Sequence, residues 1–95
     1  MARPMKYRYK PTRKFWAQFQ ALPLRQQTLA REKFRLFQDN PFDSRLRSHK
    51  IHHLSAVLKR TVHAVVIEGD LRAAFYLEGD LVVSFAIGTH DIYKS

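Results

Sequence analysis

Cysteine is absent from the 95-residue sequence, and glycine occurs only three times. The lack of cysteine excludes a disulfide framework, a cysteine-based zinc site and a cysteine nucleophile. The few glycines leave no glycine-rich phosphate-binding loop. The sequence contains no run of about 18 apolar residues, so no transmembrane helix is expected. Because the first residues also lack the apolar segment of a secretory signal, we expect a cytoplasmic protein without a membrane partner.

Acidic residues are scarce, and their distribution is uneven. The sequence has 17 Lys and Arg residues against 8 Asp and Glu, a net charge of +9, and no acidic residue before Glu32. Such a positive field attracts polyanions and makes their binding depend strongly on salt. We therefore expect nucleic acid, a ribosome or an acidic protein as partner. The length and the 45% hydrophobic content predict a single domain over residues 1–95 with one modest core.

Hydrophobic periodicity divides the first part of the chain into one strand and two helices. Met5 to Lys10 alternates strictly and predicts a half-buried strand. Thr12 is a suitable N-cap for a helix that begins near Arg13 and ends at Pro23. A second helix is predicted from Leu24 to Gln38. The short break between them predicts an antiparallel helical hairpin.

The second part of the chain reads as a loop followed by three strands. The stretch from Phe42 to Ser55 loses periodicity and is predicted to be irregular. Strands are predicted from Leu58 to Ile67, from Leu71 to Leu77 and from Leu81 to Ile87. A Gly-Asp pair lies in each gap and is typical of a tight hairpin turn. We therefore predict an α+β fold in which the helical hairpin packs on one face of a sheet of about four strands, three of them an antiparallel meander.

Alternation along the last two strands predicts which sheet face the helices leave uncovered. The bulkier residues are expected to pack on the helices: Leu71, Ala73, Phe75, Leu77, Leu81, Val83, Phe85 and Ile87. The opposite face, called the second face below, is expected to carry Arg72, Ala74, Tyr76, Val82, Ser84 and Ala86. Its small residues predict a shallow concave surface with Arg72 near one end.

Four of the five histidines lie between His49 and His63. A metal site is the first hypothesis for such a cluster, but no carboxylate lies among His49, His52 and His53. Five Lys or Arg residues between Arg45 and Arg60 add positive charge that disfavours a divalent cation. We therefore expect neither a metal ion nor another cofactor.

RNA cleavage without a metal requires side chains that this sequence contains. A base removes the proton of a ribose 2′-OH, a cation stabilises the charged phosphate, and an acid protonates the leaving oxygen. Histidine serves both proton-transfer roles near neutral pH, and arginine binds phosphate with two parallel hydrogen bonds. The candidates are His49, His52, His53, His63, His90, Arg72, Lys50 and Tyr93. Each also has a purely structural reading, as a solvated loop histidine, an ion-pair partner or an anchor for the chain end.

Four motifs in this order resemble the RelE/ParE toxin superfamily of bacterial and archaeal toxin–antitoxin systems, and in particular its histidine-rich, YafQ-like branch. The motifs and the predicted order of elements together extend the resemblance over almost the whole chain. The motifs are Phe37-Gln38-Asp39-Asn40-Pro41-Phe42, Leu46-Arg47-Ser48-His49-Lys50-Ile51, Gly69-Asp70-Leu71-Arg72-Ala73-Ala74-Phe75 and Ile87-Gly88-Thr89-His90-Asp91-Ile92-Tyr93.

The resemblance implies an endoribonuclease that cuts mRNA, usually on the ribosome, without a metal and with a 2′,3′-cyclic phosphate product. It also implies a cognate acidic antitoxin protein. Arg72 and Lys50 match phosphate-binding positions, His90 a proton-transfer position, and Tyr93 an aromatic that packs or stacks on a base. The choice of base among His49, His53 and His63 stays open. Further RNA contacts are expected from Arg45, Arg47, Lys59 and Arg60.

Two alternatives on the same scaffold remain. One is a non-catalytic toxin like the gyrase-inhibiting ParE branch, whose members tend to lack the basic and histidine-rich set found here. The other is an inactive member that binds RNA without cutting it. Gyrase-linked DNA damage without mRNA cleavage indicates the first, and RNA binding without cleavage products indicates the second.

Overall fold

Five strands and three helices are formed by residues 7–93, the part of the chain that the structure, a computed structural model, describes; the side chains of His90 and Tyr93 are not included. The elements follow in this order: β1 (Arg8–Pro11), α1 (Arg13–Gln20), α2 (Leu24–Asp39), a 3₁₀ turn (Ser44–Leu46), β2 (His49–Lys50), α3 (His52–Leu58), β3 (Val62–Glu68), β4 (Leu71–Glu78), β5 (Leu81–Gly88) and a second 3₁₀ turn (His90–Tyr93). None of these helices is long and apolar enough to cross a membrane.

The two predicted N-terminal helices are confirmed, and their ends have local causes. The hydroxyl of Thr12 accepts a hydrogen bond from the backbone N–H of Phe15 at 3.1 Å, which caps α1. Pro23 precedes α2, and the Asn40-Pro41 pair follows it. The predicted first strand corresponds to β1, which runs from Arg8 to Pro11, while Met5 lies outside the described residues.

The sheet has the strand order β1-β5-β4-β3-β2. β1 runs parallel to β5, and the remaining neighbours are antiparallel, so the predicted meander of β3, β4 and β5 is confirmed. The α+β class is also confirmed. The sheet contains five strands rather than about four because β2 adds a short edge strand against β3.

The prediction of an irregular segment from Phe42 to Ser55 was wrong. This segment forms the first 3₁₀ turn, β2 and the start of α3, and α3 includes Leu58, the predicted first residue of a strand. A short hydrogen-bond network fixes this arrangement: Ser55 Oγ donates to the Ile51 carbonyl at 2.8 Å and accepts from the Val62 N–H at 2.9 Å. Lys59 then ends α3 in the left-handed conformation, at φ 55°.

On β4 the predicted faces are correct, but on β5 they are wrong beyond a bulge. Ala74 lies opposite Ala86, whereas Phe75 lies opposite Ser84, so Phe85 is an extra residue on β5. Since directly opposed residues share a face, Val82, Ser84 and Ile87 face the helices with Leu77, Phe75 and Ala73. The second face therefore carries Leu81, Val83, Ala86 and Gly88 from β5, together with the extra residue Phe85, whose ring lies 5.7 Å from that of Tyr76.

The second face is more buried than a shallow open surface. Ala74 is 0% exposed and Ala86 is 1% exposed, although neither belongs to the core under α1 and α2. α3 packs against β3 and buries Leu54, and the His90–Tyr93 turn packs against β4 and β5. The small residues were predicted correctly, but they are covered by these two short elements. What remains accessible on this face lies around Arg72 and Tyr76, which are both half-buried.

Candidate functional site

Arg72 lies on the second face with hydrogen-bonding capacity to spare. In the ladder it stands opposite Val66 on β3 and Gly88 on β5. Its Nη1 donates to the backbone carbonyls of Gly69 and Leu71. Within residues 7–93 Arg72 forms no ion pair. A guanidinium has five N–H donors, so donors remain for an anion such as a phosphate.

The His90–Tyr93 turn lies beside Arg72. Thr89 stabilises the turn, since its carbonyl accepts from the Ile92 N–H at 3.0 Å and its hydroxyl accepts from the Asp91 N–H at 3.4 Å. Gly88 allows the turn to approach the sheet closely, because a Cβ at this position would lie 2.8 Å from Ile92 Cγ2. The backbone of the predicted residues His90 and Tyr93 is thereby held at the end of β5 that faces Arg72.

His49, on β2, is the candidate base that the structure brings to the same face as Arg72. It pairs with Ala64, which stands opposite Ala74, two positions along β4 from Arg72. Strand spacing and rise place the Cα atoms of His49 and Arg72 about 12 Å apart. Both side chains are long enough to approach one phosphodiester group from two sides. The His49 ring is exposed, with Nδ1 3.2 Å from the Arg47 carbonyl oxygen.

His63 and Lys50 are not brought to Arg72. These two residues stand opposite each other in the β2–β3 ladder, and His63 stands opposite Phe75 on the face that packs on the helices. The imidazole stacks on Phe75 at 5.4 Å and meets Phe42 edge-on at 5.1 Å. Burial lowers the pKa of His63, and the nearby Lys50 and His49 lower it further. This environment favours a neutral ring that packs as an aromatic residue.

His53 and His52 lie on α3, both exposed. His52 lines a groove of about 450 Å³, called the α3 groove below, together with Lys50, Ser55, Ala56, Lys59, Arg60 and Thr61. This groove carries positive charge from Lys50, Lys59 and Arg60. Within residues 7–93, no three potential metal ligands are arranged to hold a metal ion.

The four predicted RNA-binding cations differ in how far their charge is compensated. Arg45 pairs with Asp43 at 2.9 Å, and its hydrogen bonds lower the pKa of Asp43 to about 2. Arg60 pairs with Glu78. Arg47 and Lys59 are exposed, both in the left-handed conformation, and form no ion pair in the described part of the chain. These two cations are the ones most available to a polyanion.

Two aromatic residues of the second face, Tyr76 and Phe85, are not among the predicted site residues. The rings of Tyr76 and Phe85 lie 5.7 Å apart, and the Arg60 guanidinium lies 4.8 Å above the Tyr76 ring. The alternation that placed Arg72 on this face also indicated Tyr76. Phe85 could not be found in that way, because the bulge changes its face.

Comparisons with known proteins identify the fold. No protein-family model and no curated protein matches the sequence. A chain of the archaeal RelE–RelB complex from Pyrococcus horikoshii OT3 is similar over 90% of this chain and 96% of that chain, with a TM-score of 0.68 and 14% identity. YafQ from E. coli strain BL21(DE3) is similar over 94% and 99%, with a TM-score of 0.69 and 12% identity. The chain therefore has the RelE-like fold, and the resemblance seen in its motifs is confirmed at the level of fold.

Proposed function

We propose that this chain is the toxin of a toxin–antitoxin system and that it cleaves mRNA on the second face of its sheet. The observation that carries the proposal is Arg72, a guanidinium without an ion pair in the described chain, flanked by the His90–Tyr93 turn and by His49. The net charge of +9 supports a polyanionic substrate. The RelE-like fold supports the toxin role.

The proposed reaction needs one base, one cation and one acid. His49 removes the proton of the ribose 2′-OH, and the oxygen forms a bond to the adjacent phosphorus. Arg72 donates hydrogen bonds to the non-bridging oxygens, whose negative charge grows in the transition state. The bond from phosphorus to the 5′-oxygen breaks, and His90 gives this oxygen a proton. The products are a 2′,3′-cyclic phosphate and a 5′-hydroxyl end, and Tyr93 stacks on a neighbouring base.

The same charge supports two partners in the cytoplasm. The ribosome presents mRNA in a single-stranded form, and its RNA attracts a basic protein at long range. An acidic antitoxin would neutralise the same surface when the toxin is held inactive. One of the similar structures is a complex of RelE with RelB, which supports a protein antitoxin here as well.

Primer extension on mRNA after induced expression tests the proposal. Arg72→Ala should reduce cleavage about 100-fold or more, the effect of removing one donor to a transition-state oxyanion. Arg35→Ala removes the same charge from an exposed position on α2 and should leave cleavage unchanged. Normal cleavage by Arg72→Ala would contradict the assignment of the site.

An RNA-binding protein without activity is the second candidate. One observation favours it: of the three histidines predicted as base, only His49 shares the face of Arg72, and the Cα atoms of these two residues lie about 12 Å apart. A wild-type protein that binds RNA with strong salt dependence but leaves ribosome-bound mRNA intact would establish this candidate.

A further inference from the structure

Arg60, Tyr76 and Phe85 form a stack of planar groups on the second face. The guanidinium lies 4.8 Å above the Tyr76 ring, and the Phe85 ring lies 5.7 Å from Tyr76 with an interplanar angle of 38°. Glu78 pairs with Arg60, which holds the guanidinium over the ring. The Arg60 side chain is 42% exposed, so one side of the stack faces solvent.

This stack lies on the same face as Arg72, farther along the same strand. Tyr76 is four residues from Arg72 on β4, and both lie on the second face. The rise per residue in a strand separates their Cα atoms by about 13 Å. The buried residues Ala74 and Ala86 lie between them and present no bulky side chain. Arg72 and Tyr76 are both half-buried and reachable from solvent, so a single strand of RNA that passes over the elements covering Ala74 and Ala86 can contact both.

The α3 groove adds phosphate-binding groups beside the stack. Arg60 lines the groove, so the stack and the groove are continuous. Lys59 and His52 contribute exposed positive or titratable groups to it. Bases of single-stranded RNA stack on aromatic rings and on guanidinium planes, while the backbone follows basic grooves. Planar groups next to cations thus have the chemistry of a nucleotide site.

The structural role of the stack does not account for its composition. An exposed ion pair such as Arg60–Glu78 contributes little stability. Tyr76 stands opposite Val62 on β3 and Val83 on β5, and an aliphatic side chain would pack against these valines as well. A tyrosine covered by an exposed guanidinium instead resembles the mixed stacks that hold nucleobases.

We propose that Arg60, Tyr76 and Phe85 form a nucleobase-stacking site for single-stranded RNA, with the adjoining α3 groove binding the backbone phosphate. The site holds a base a few nucleotides from the phosphate at Arg72 and so positions the strand for cleavage. This inference rests on the proposed function, because it assumes that RNA lies across the second face.

Binding of two probes separates stacking from charge. One probe is a 12-nucleotide 2′-O-methyl oligoadenylate, which cannot react through its 2′ oxygen. The other is an abasic sugar–phosphate oligomer of the same length. Tyr76→Leu should weaken binding of the oligoadenylate about fivefold or more and leave the abasic oligomer within about twofold of wild type. Tyr76→Phe should retain wild-type affinity for both.

Two further variants guard against a folding defect. Arg60→Lys keeps the charge but removes the planar surface, so it should also weaken the oligoadenylate selectively. Trp16→Leu removes an aromatic side chain that is 44% exposed on α1 and should change neither affinity. Equal losses for both probes, or no loss with Tyr76→Leu and Arg60→Lys, would overturn the stacking site.

Salt titration tests the groove. Lys59→Asn removes one cation, and asparagine tolerates the left-handed conformation of this position. The plot of log affinity against log salt should become less steep by about 0.7. The loss of affinity caused by the substitution should therefore be about fivefold larger at 0.1 M salt than at 1 M salt. Lys14→Asn on α1 is the matched control and should keep the wild-type slope. An unchanged slope with Lys59→Asn would overturn the phosphate assignment.

Cleavage is measured separately, so the two proposals can fail independently. A wild-type protein that cuts mRNA while its Tyr76→Leu variant binds both probes normally contradicts only the stacking site. A protein that shows base-dependent binding through Tyr76 but cuts no mRNA contradicts only the proposed activity. Binding of a polyglutamate peptide as tightly as the oligoadenylate, with no dependence on bases, would assign this surface to an acidic protein and overturn the inference.

Discussion

Replacing Gly88 by alanine tests whether the His90–Tyr93 turn sets the geometry of the site. The added Cβ would lie 2.8 Å from Ile92 Cγ2, while relaxed carbon–carbon contacts lie at about 3.5–4.0 Å. Relief of this overlap requires a movement of about 1 Å. Gly88 is fixed opposite Arg72 in the β4–β5 ladder, so we expect the turn to move away from the sheet.

The expected effect on rate is larger than the effect on stability. Overpacking of this kind costs about 1–3 kcal/mol of unfolding free energy. A displacement of about 1 Å in a catalytic group can reduce the rate about 100-fold. We therefore expect Gly88→Ala to slow single-turnover cleavage of ribosome-bound mRNA about 100-fold. Urea titrations at room temperature should show that the variant is still folded in the absence of urea.

Second-site variants at Ile92 make this reasoning refutable. Ile92→Leu moves the branch away from Cβ and removes the methyl group that meets position 88, so it should restore cleavage to Gly88→Ala. Ile92→Val keeps the methyl branches on Cβ and should restore little. Wild-type cleavage by Gly88→Ala alone, or equal rescue by leucine and valine, would refute the steric explanation.

Two further predictions concern stability. Burial lowers the pKa of the His63 imidazole, so the unfolded chain binds a proton on this ring more tightly than the folded chain does. The free energy of unfolding should therefore be highest above about pH 6.5 and fall as the pH drops toward the folded-state pKa. In urea unfolding, His63→Phe should reduce this dependence of the unfolding free energy on pH, while His52→Gln should leave it unchanged. The same pH dependence in His63→Phe as in the wild type would show that another group causes it. Ser55→Ala deprives the Val62 N–H of its acceptor and should cost about 1–3 kcal/mol of unfolding free energy. Ser44→Ala at an exposed position should stay within about 0.5 kcal/mol, and an equal effect of both serine changes would contradict the role of this bond.

The helices and the meander could be predicted because their signals are local. Thr12 and Pro23 mark where the helices begin and end, and each Gly-Asp pair supplies a residue with positive φ, at Gly69 and Gly79. Side-chain alternation then gave the correct faces for β4. These features depend on a few neighbouring residues and not on tertiary contacts.

The bulge at Phe85 and the helix α3 could not be predicted for the opposite reason. Phe85 continues the apolar alternation of β5, and its position as the extra residue becomes visible only in pairing with β4. α3 depends on Ser55 and on the Val62 backbone, which lie seven residues apart in sequence. Both features depend on contacts between separate elements, which a local sequence pattern does not contain.

For the candidate site as well, the positions of some residues could be predicted from the sequence and those of others could not. Arg72 and the His90–Tyr93 turn were placed together by alternation and by the motif at the end of β5. His63 and Lys50 were grouped with them because all are basic or titratable, a criterion that ignores strand faces. The β2–β3 register turns both toward the helical layer, and this register depends on an edge strand of two residues.

The chemistry of the RNA ends tests the central claim most directly. Purified protein is incubated with ribosomes carrying a defined mRNA, and the new ends are identified by their reactivity with kinase and phosphatase. The proposed mechanism predicts 2′,3′-cyclic phosphate and 5′-hydroxyl ends with the wild type, and loss of these ends with Arg72→Ala. Ends that carry a 3′-hydroxyl and a 5′-phosphate, or identical cleavage by Arg72→Ala, would contradict it.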